Sequence, residues 1–143
     1  MRSRSPSPAE QAGLRWSFEG LKIVAFSTLA AIVYGILHDQ VTAHLCVEYF
    51  SVAHPRVFPT QSPFLLALGW GVIATWWVGL PLGIGLALAA RSGAAPRLTL
   101  ADVRPSVVGL MIVCAVVATI SGAAGALSVA FGLADVPGGW KAR

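Results

Sequence analysis

Charge is what this chain has least of. Of its 143 residues only 11% are Asp, Glu, Lys or Arg, against about 25% in an ordinary soluble domain. So few charges exclude a water-coated globule of this length. With 56% hydrophobic residues and a mean hydropathy of +0.73, the chain reads as one small membrane domain with lipid as its solvent. Cysteine is also scarce: Cys46 and Cys114 are too few for a disulfide scaffold and read as free thiols. No CxxC pair, HExxH, GxSxG or phosphate-binding glycine loop occurs, which removes the common sequence-readable enzyme classes. Asp39 and Glu48 would lie about 13.5 Å apart along one helix, too far for a paired acid–base site on that element. Nothing here points to an enzyme.

What the chain does have is three apolar runs, which predict an all-α, polytopic membrane protein with three transmembrane helices. The first run, residues 21–37, is at the short limit of about 17 residues for a span. No Pro or Gly follows until Pro55, so this helix is expected to continue through the polar residues to about Phe50. Pro55, Pro59 and Pro63 then make residues 54–63 a loop. The second run, 64–90, carries no charge and reaches roughly 40 Å as a helix, enough to cross with some tilt. Pro81 should kink it. Gly79 and Gly83 form a small-xxx-small pair that either brings another backbone close or is merely tolerated. Residues 91–105 read as a basic loop, and the third run, 106–133, is again uncharged. Its Ser121, Gly122, Gly125, Ala126 and Ser128 offer a further close-packing face. Residues 1–20, rich in Ser, Pro and Arg, read as a disordered cytoplasmic tail, residues 21–133 as the transmembrane domain, and 134–143 as a short polar tail.

The net charge of +4 does not indicate nucleic acid, because the cations sit at the ends of apolar runs rather than along one face. Arg2, Arg4, Arg15 and Lys22 precede the first run, and Arg91, Arg97 and Arg104 lie in the second connection. Only Arg56 lies in the first connection, with Lys141 and Arg143 after the third run. This asymmetry puts the N-terminus in the cytoplasm and, in a bacterium, the chain in the inner membrane with the first connection facing the periplasm.

The densest chemistry is at residues 38–50, and polar groups beside a membrane span usually have a reason to be there. On a continuous helix, His38, Tyr49, Thr42, Cys46 and Asp39 share an arc of about 100°, while His44 and Glu48 form a separate i,i+4 pair. His38, Asp39, His44, Cys46 and Glu48, with His54 from the loop, are metal-ligand types suited to zinc or copper, though in no recognised motif. Proton or redox relay to a quinone or haem through Tyr49, His38 and Asp39 is a second use of the same groups. The plainer use is internal hydrogen bonding that joins helices. No cofactor follows from the sequence.

The stretch Tyr34-Gly35-Ile36-Leu37-His38-Asp39-Gln40-Val41-Thr42, continued by Cys46-Val47-Glu48-Tyr49-Phe50 and His54-Pro55, with Leu68-Gly69-Trp70-Gly71 and Ala74-Thr75-Trp76-Trp77, resembles a group of small bacterial integral membrane proteins of unassigned activity. The resemblance covers roughly residues 25–110 and transfers no catalytic residue. Members of that group continue into another transmembrane helix, so it implies that these 143 residues stop short of one.

Three functions are therefore carried forward. The first is a structural or accessory membrane protein whose helix faces pack against a second copy or a partner within the bilayer. The second is a periplasm-facing metal-binding or redox protein using the 38–54 cluster. The third is a subunit of a small transporter, resting on Asp39 within the bilayer and the kinked second helix.

Overall fold

The computed structural model describes residues 7–92 and 96–135. They form α1 (Pro8–Leu45), a single turn α2 (Glu48–Ser51), α3 (Pro63–Arg91) and α4 (Leu100–Ala130). The stretches Phe18–Leu45, Pro63–Arg91 and Leu100–Ala130 are each long and apolar enough to cross a membrane. The chain is an all-α, multi-pass membrane protein, as its apolar runs predict. Lipid requires backbone polar groups to be satisfied inside each segment, and three side-chain hydroxyls are handled the same way. Thr28, Thr119 and Ser128 each donate to the carbonyl four residues back.

Helix ends depart from the sequence expectation in three places. α1 begins at Pro8, taking in residues where composition alone suggests a tail. Pro has the right φ for a first turn, and Ala9, Glu10, Gln11 and Ala12 are good helix formers. At its other end α1 passes through His38, Asp39, Thr42 and His44 as expected, then breaks at Cys46 before α2 resumes the helical path. The break lets Phe50, 3% exposed, fold back onto Ala43, Leu66 and Ala67. α4 starts at Leu100, ahead of the apolar run, because the Asp102 carboxylate accepts from both the backbone N–H and the hydroxyl of Thr99, each at 2.7 Å. Pro105 is absorbed within α4 rather than closing the loop. The far end of α4 is stopped by Gly132 at φ +69°, with Leu133 N–H on the Ser128 carbonyl at 2.8 Å. Residues 1–6 of the first expected tail and 136–143 of the second lie outside the described residues.

α1 and α3 form an antiparallel hairpin, and the contact has a simple code. On α3 the facing positions recur every fourth residue: Ala67, Gly71, Thr75, Gly79, Gly83, Ala87 and Arg91. On α1 they do the same: Glu19, Ile23, Ser27, Ala31, Gly35, Asp39 and Ala43. Small side chains on matched i,i+4 rows let two backbones touch, which is how membrane helices gain van der Waals contact without a hydrophobic driving force. A Cβ placed on Gly71 would lie 2.5 Å from the Ile36 Cα and 2.6 Å from its N. One on Gly83 would meet the Val24 carbonyl oxygen at 3.0 Å, and one on Gly79 the Ala31 Cβ at 2.7 Å. The Gly79/Gly83 pair is therefore a packing device, one part of a longer ladder.

Two apolar clusters close the ends of this seam. Ala43, Phe50, Leu66 and Ala67 are buried at the loop end, with Val47, Phe58 and Trp70 against them. At the opposite end Ile23 of α1, Ala87 and Ala90 of α3 and Val103 of α4 pack together. α4 lies along α1 through Leu100, Val103, Val107, Met111, Cys114 and Ala118, the helical spacing of a single seam. Beyond Ala118 its residues are exposed apart from Ser128, and Cβ atoms on Gly122 or Gly125 would meet nothing within 4 Å.

The contrast gives a direct test. Gly71→Ala should destabilise the hairpin by about 1–3 kcal/mol through overpacking against backbone. Gly122→Ala, on the open part of α4, should be neutral or gain up to about 1 kcal/mol from helix propensity. Denaturant unfolding of detergent-solubilised protein followed by tryptophan fluorescence reads both, and equal effects would remove the seam as the dominant constraint.

Candidate functional site

The hairpin geometry decides where the polar cluster goes. Asp39 falls on the α1 row that faces α3, so its half-buried carboxylate is aimed at the helix pair rather than at lipid. His38 is one position round and more exposed, and it stacks on Tyr34 with ring centroids 5.9 Å apart. The loop after α2 brings His54 over the same helix end. Asp39 lies within electrostatic reach of both His38 and His54. Sequence spacing puts His38 and Asp39 together; the fold adds His54.

His54 is held by its surroundings. Its Nδ1–H donates to the Tyr49 carbonyl at 2.7 Å. Tyr49 and Trp70 meet the imidazole edge-on at 4.6 and 4.9 Å between centroids, and Phe50 stacks on it at 5.8 Å. Phe58 then packs edge-on against Trp70 at 6.0 Å and fills the space above Gly69, where any Cβ would strike its ring. Pairs of this kind contribute about 0.5–1.5 kcal/mol each beyond area burial. Together they clamp the Pro-rich loop onto the start of α3.

The remaining candidates turn elsewhere. His44 Nδ1–H donates to the Gln40 carbonyl at 2.7 Å within α1, and Gln40 Nε2 reaches the Phe64 carbonyl at 3.2 Å across the hairpin. The break at Cys46 takes Glu48 out of helical register with His44, and Tyr49 out of the stripe that starts at His38. Glu48 instead accepts from the Cys46 thiol at 3.7 Å. Cys46 and Cys114 are both free thiols. Among the described residues, no three of the His, Cys, Asp and Glu side chains are grouped so as to hold a metal ion. The structure thus keeps Asp39 beside His38 with His54 within electrostatic reach, pairs Cys46 with Glu48 at the helix break, and leaves His44 on its own helix.

Two aromatic participants, Trp70 and Phe58, are not legible as site residues from spacing. Their signal is the Gly69-Trp70-Gly71 triplet, in which one glycine admits the Phe58 ring and the other admits α1. The chain matches no family model, no curated protein and no solved structure.

His54→Ala removes both the carbonyl bond and the ring at the centre of the clamp. It should raise hydrogen–deuterium exchange across residues 48–61 at least several-fold while leaving residues 67–87 protected. Unchanged exchange in the loop would mean that the aromatic contacts do not hold it.

Proposed function

We propose that this protein is a structural or accessory component of its membrane, in which the polar residues at 38–54 fasten the end of a helical hairpin. The observation that carries this reading is where those side chains go. Gln40 bonds the first turn of α3, His54 bonds the backbone of the preceding turn, and Cys46 and Glu48 meet at the break between helices. Each interaction fixes a join between elements. The open outer length of α4 supports a role in company, against a second copy or another membrane protein.

The charge asymmetry of the sequence supports an N-terminus in the cytoplasm of a bacterial inner membrane, with the 46–62 connection on the periplasmic side. An alkaline phosphatase reporter fused after Gln61 should then be active and one fused after Arg97 inactive; the reverse pattern would invert the topology.

A second reading has one specific observation in its favour. Asp39 lies within electrostatic reach of His38 and His54 near a helix end, and ionisable groups within a membrane span are often functional. Metal content and optical spectra of the purified protein separate the two. The structural reading expects no stoichiometric metal and no chromophore, and it expects Asp39→Asn and Cys46→Ala to change only the yield and stability of folded protein. Loss of bound metal, or of cation flux in proteoliposomes, by an Asp39→Asn variant that remains fully folded would establish the second reading instead.

A further inference from the structure

The connection between α1 and α3 lies beyond the ends of both spans, which stop at Leu45 and resume at Pro63, so it sits at the level of the lipid headgroups. Within it, Arg56, Val57, Phe58, Pro59, Thr60 and Gln61 curl around an open bowl of about 360 Å³. That volume lies within the range of about 300–1,000 Å³ typical of small-molecule sites. A smaller cavity of about 20 Å³ adjoins it, and Arg56, Thr60 and Gln61 line that one too. The curl is held from several directions. Val57 N–H donates to the Pro55 carbonyl at 2.8 Å, and Ser62 N–H donates to the Thr60 hydroxyl at 3.1 Å. Phe58 is seated against Trp70 and above Gly69, and Pro55 and Pro59 each fix φ. A ligand entering a preformed bowl has little ordering cost to meet.

The polar groups of the lining can all donate. Arg56 is exposed and presents the permanently charged, planar fork of a guanidinium. Thr60 Oγ accepts from the Ser62 N–H, which leaves its own hydrogen free to donate. Gln61 adds a side-chain amide. The side chains of Arg56 and Gln61 make no hydrogen bond or ion pair with any described residue, and no carboxylate lines either cavity. Glu48, the acidic residue of α2, is turned to the Cys46 thiol at 3.7 Å. One fixed cation flanked by two neutral donors, with no anion of the chain's own beside it, is complementary to an oxyanion with several acceptor atoms. Phosphate is the oxyanion that the guanidinium fork matches and that headgroups supply.

We propose that the 56–61 bowl binds a phosphate group, with the Arg56 guanidinium as its main partner and Thr60 and Gln61 as flanking donors. The phosphate belongs to a phospholipid headgroup or to a soluble phosphate; the recognition chemistry is the same for both. The site does not depend on which side of the membrane the connection faces, nor on what the Asp39, His38 and His54 groups do.

Two probes of the delipidated full chain in detergent test it. One is inorganic phosphate, followed by equilibrium dialysis. The other is dioleoyl phosphatidic acid against dioleoylglycerol, which differ by the phosphate alone, followed by native mass spectrometry. A soluble source gives saturable binding of inorganic phosphate. A lipid source gives phosphatidic acid retained about tenfold or more over dioleoylglycerol, with no inorganic phosphate bound. In either case Arg56→Gln should weaken binding about tenfold or more, the loss of a charge-assisted hydrogen bond. Its circular dichroism spectrum should be unchanged, because the Arg56 side chain is exposed and bonds no described residue. Gln61→Leu should weaken binding about threefold, the loss of a neutral hydrogen bond, and it decides if Arg56→Gln does not fold. Failure of both probes to bind, or binding that these substitutions leave unchanged, overturns the proposal.

Discussion

Everything in this molecule hangs on the approach of two backbones. In lipid there is no hydrophobic effect to press helices together, so α1 and α3 hold through dispersion contacts that fall off steeply with a gap. Those contacts form because both rows offer little more than a hydrogen or a methyl group at most crossings. Ser27 illustrates how strictly space is rationed: its hydroxyl is buried opposite Gly83 with no hydrogen-bond partner among the described residues. The seam accepts an unmet polar atom rather than a larger apolar side chain.

Once the seam exists, the polar residues have fixed addresses. Glu19 and Asp39 are members of the same α1 row and interrupt its apolar character near opposite ends. One carboxylate ties together Lys22 and the first backbone N–H of α4, and the other lies within electrostatic reach of the loop histidine. The seam therefore sets the position of both, and the two ends of the molecule are organised around an acidic residue each.

The sequence makes the class and the approximate spans plain because lipid imposes a strong, additive constraint: long uncharged runs have few alternatives. Residue pairings are harder. The four-residue rows are present in the sequence, yet only Gly79 and Gly83 stand out, because Ala, Ser and Thr at the other steps are common everywhere. The break at Cys46 carries no Pro or Gly to announce it; it follows from Phe50 finding a seat on α3, a tertiary fact. The early start of α4 could be read from Thr99-Leu100-Ala101-Asp102, a capping-box pattern that Pro105 hides. Of the cluster, His38 and Asp39 are legible as neighbours by position. His54 joins them only because the loop is clamped by Trp70 and Phe58.

The seat of α4 has a consequence for how the molecule is assembled. Val103 packs in a cluster drawn from both partners of the hairpin, Ile23 on one side and Ala87 and Ala90 on the other. That surface does not exist on either helix alone. Most of the seat of α4 lies along α1, and Val103 is where the last helix also meets α3. At this one level all three spans meet, and the Leu100 N–H on the Glu19 carboxylate ties the start of α4 to α1 there.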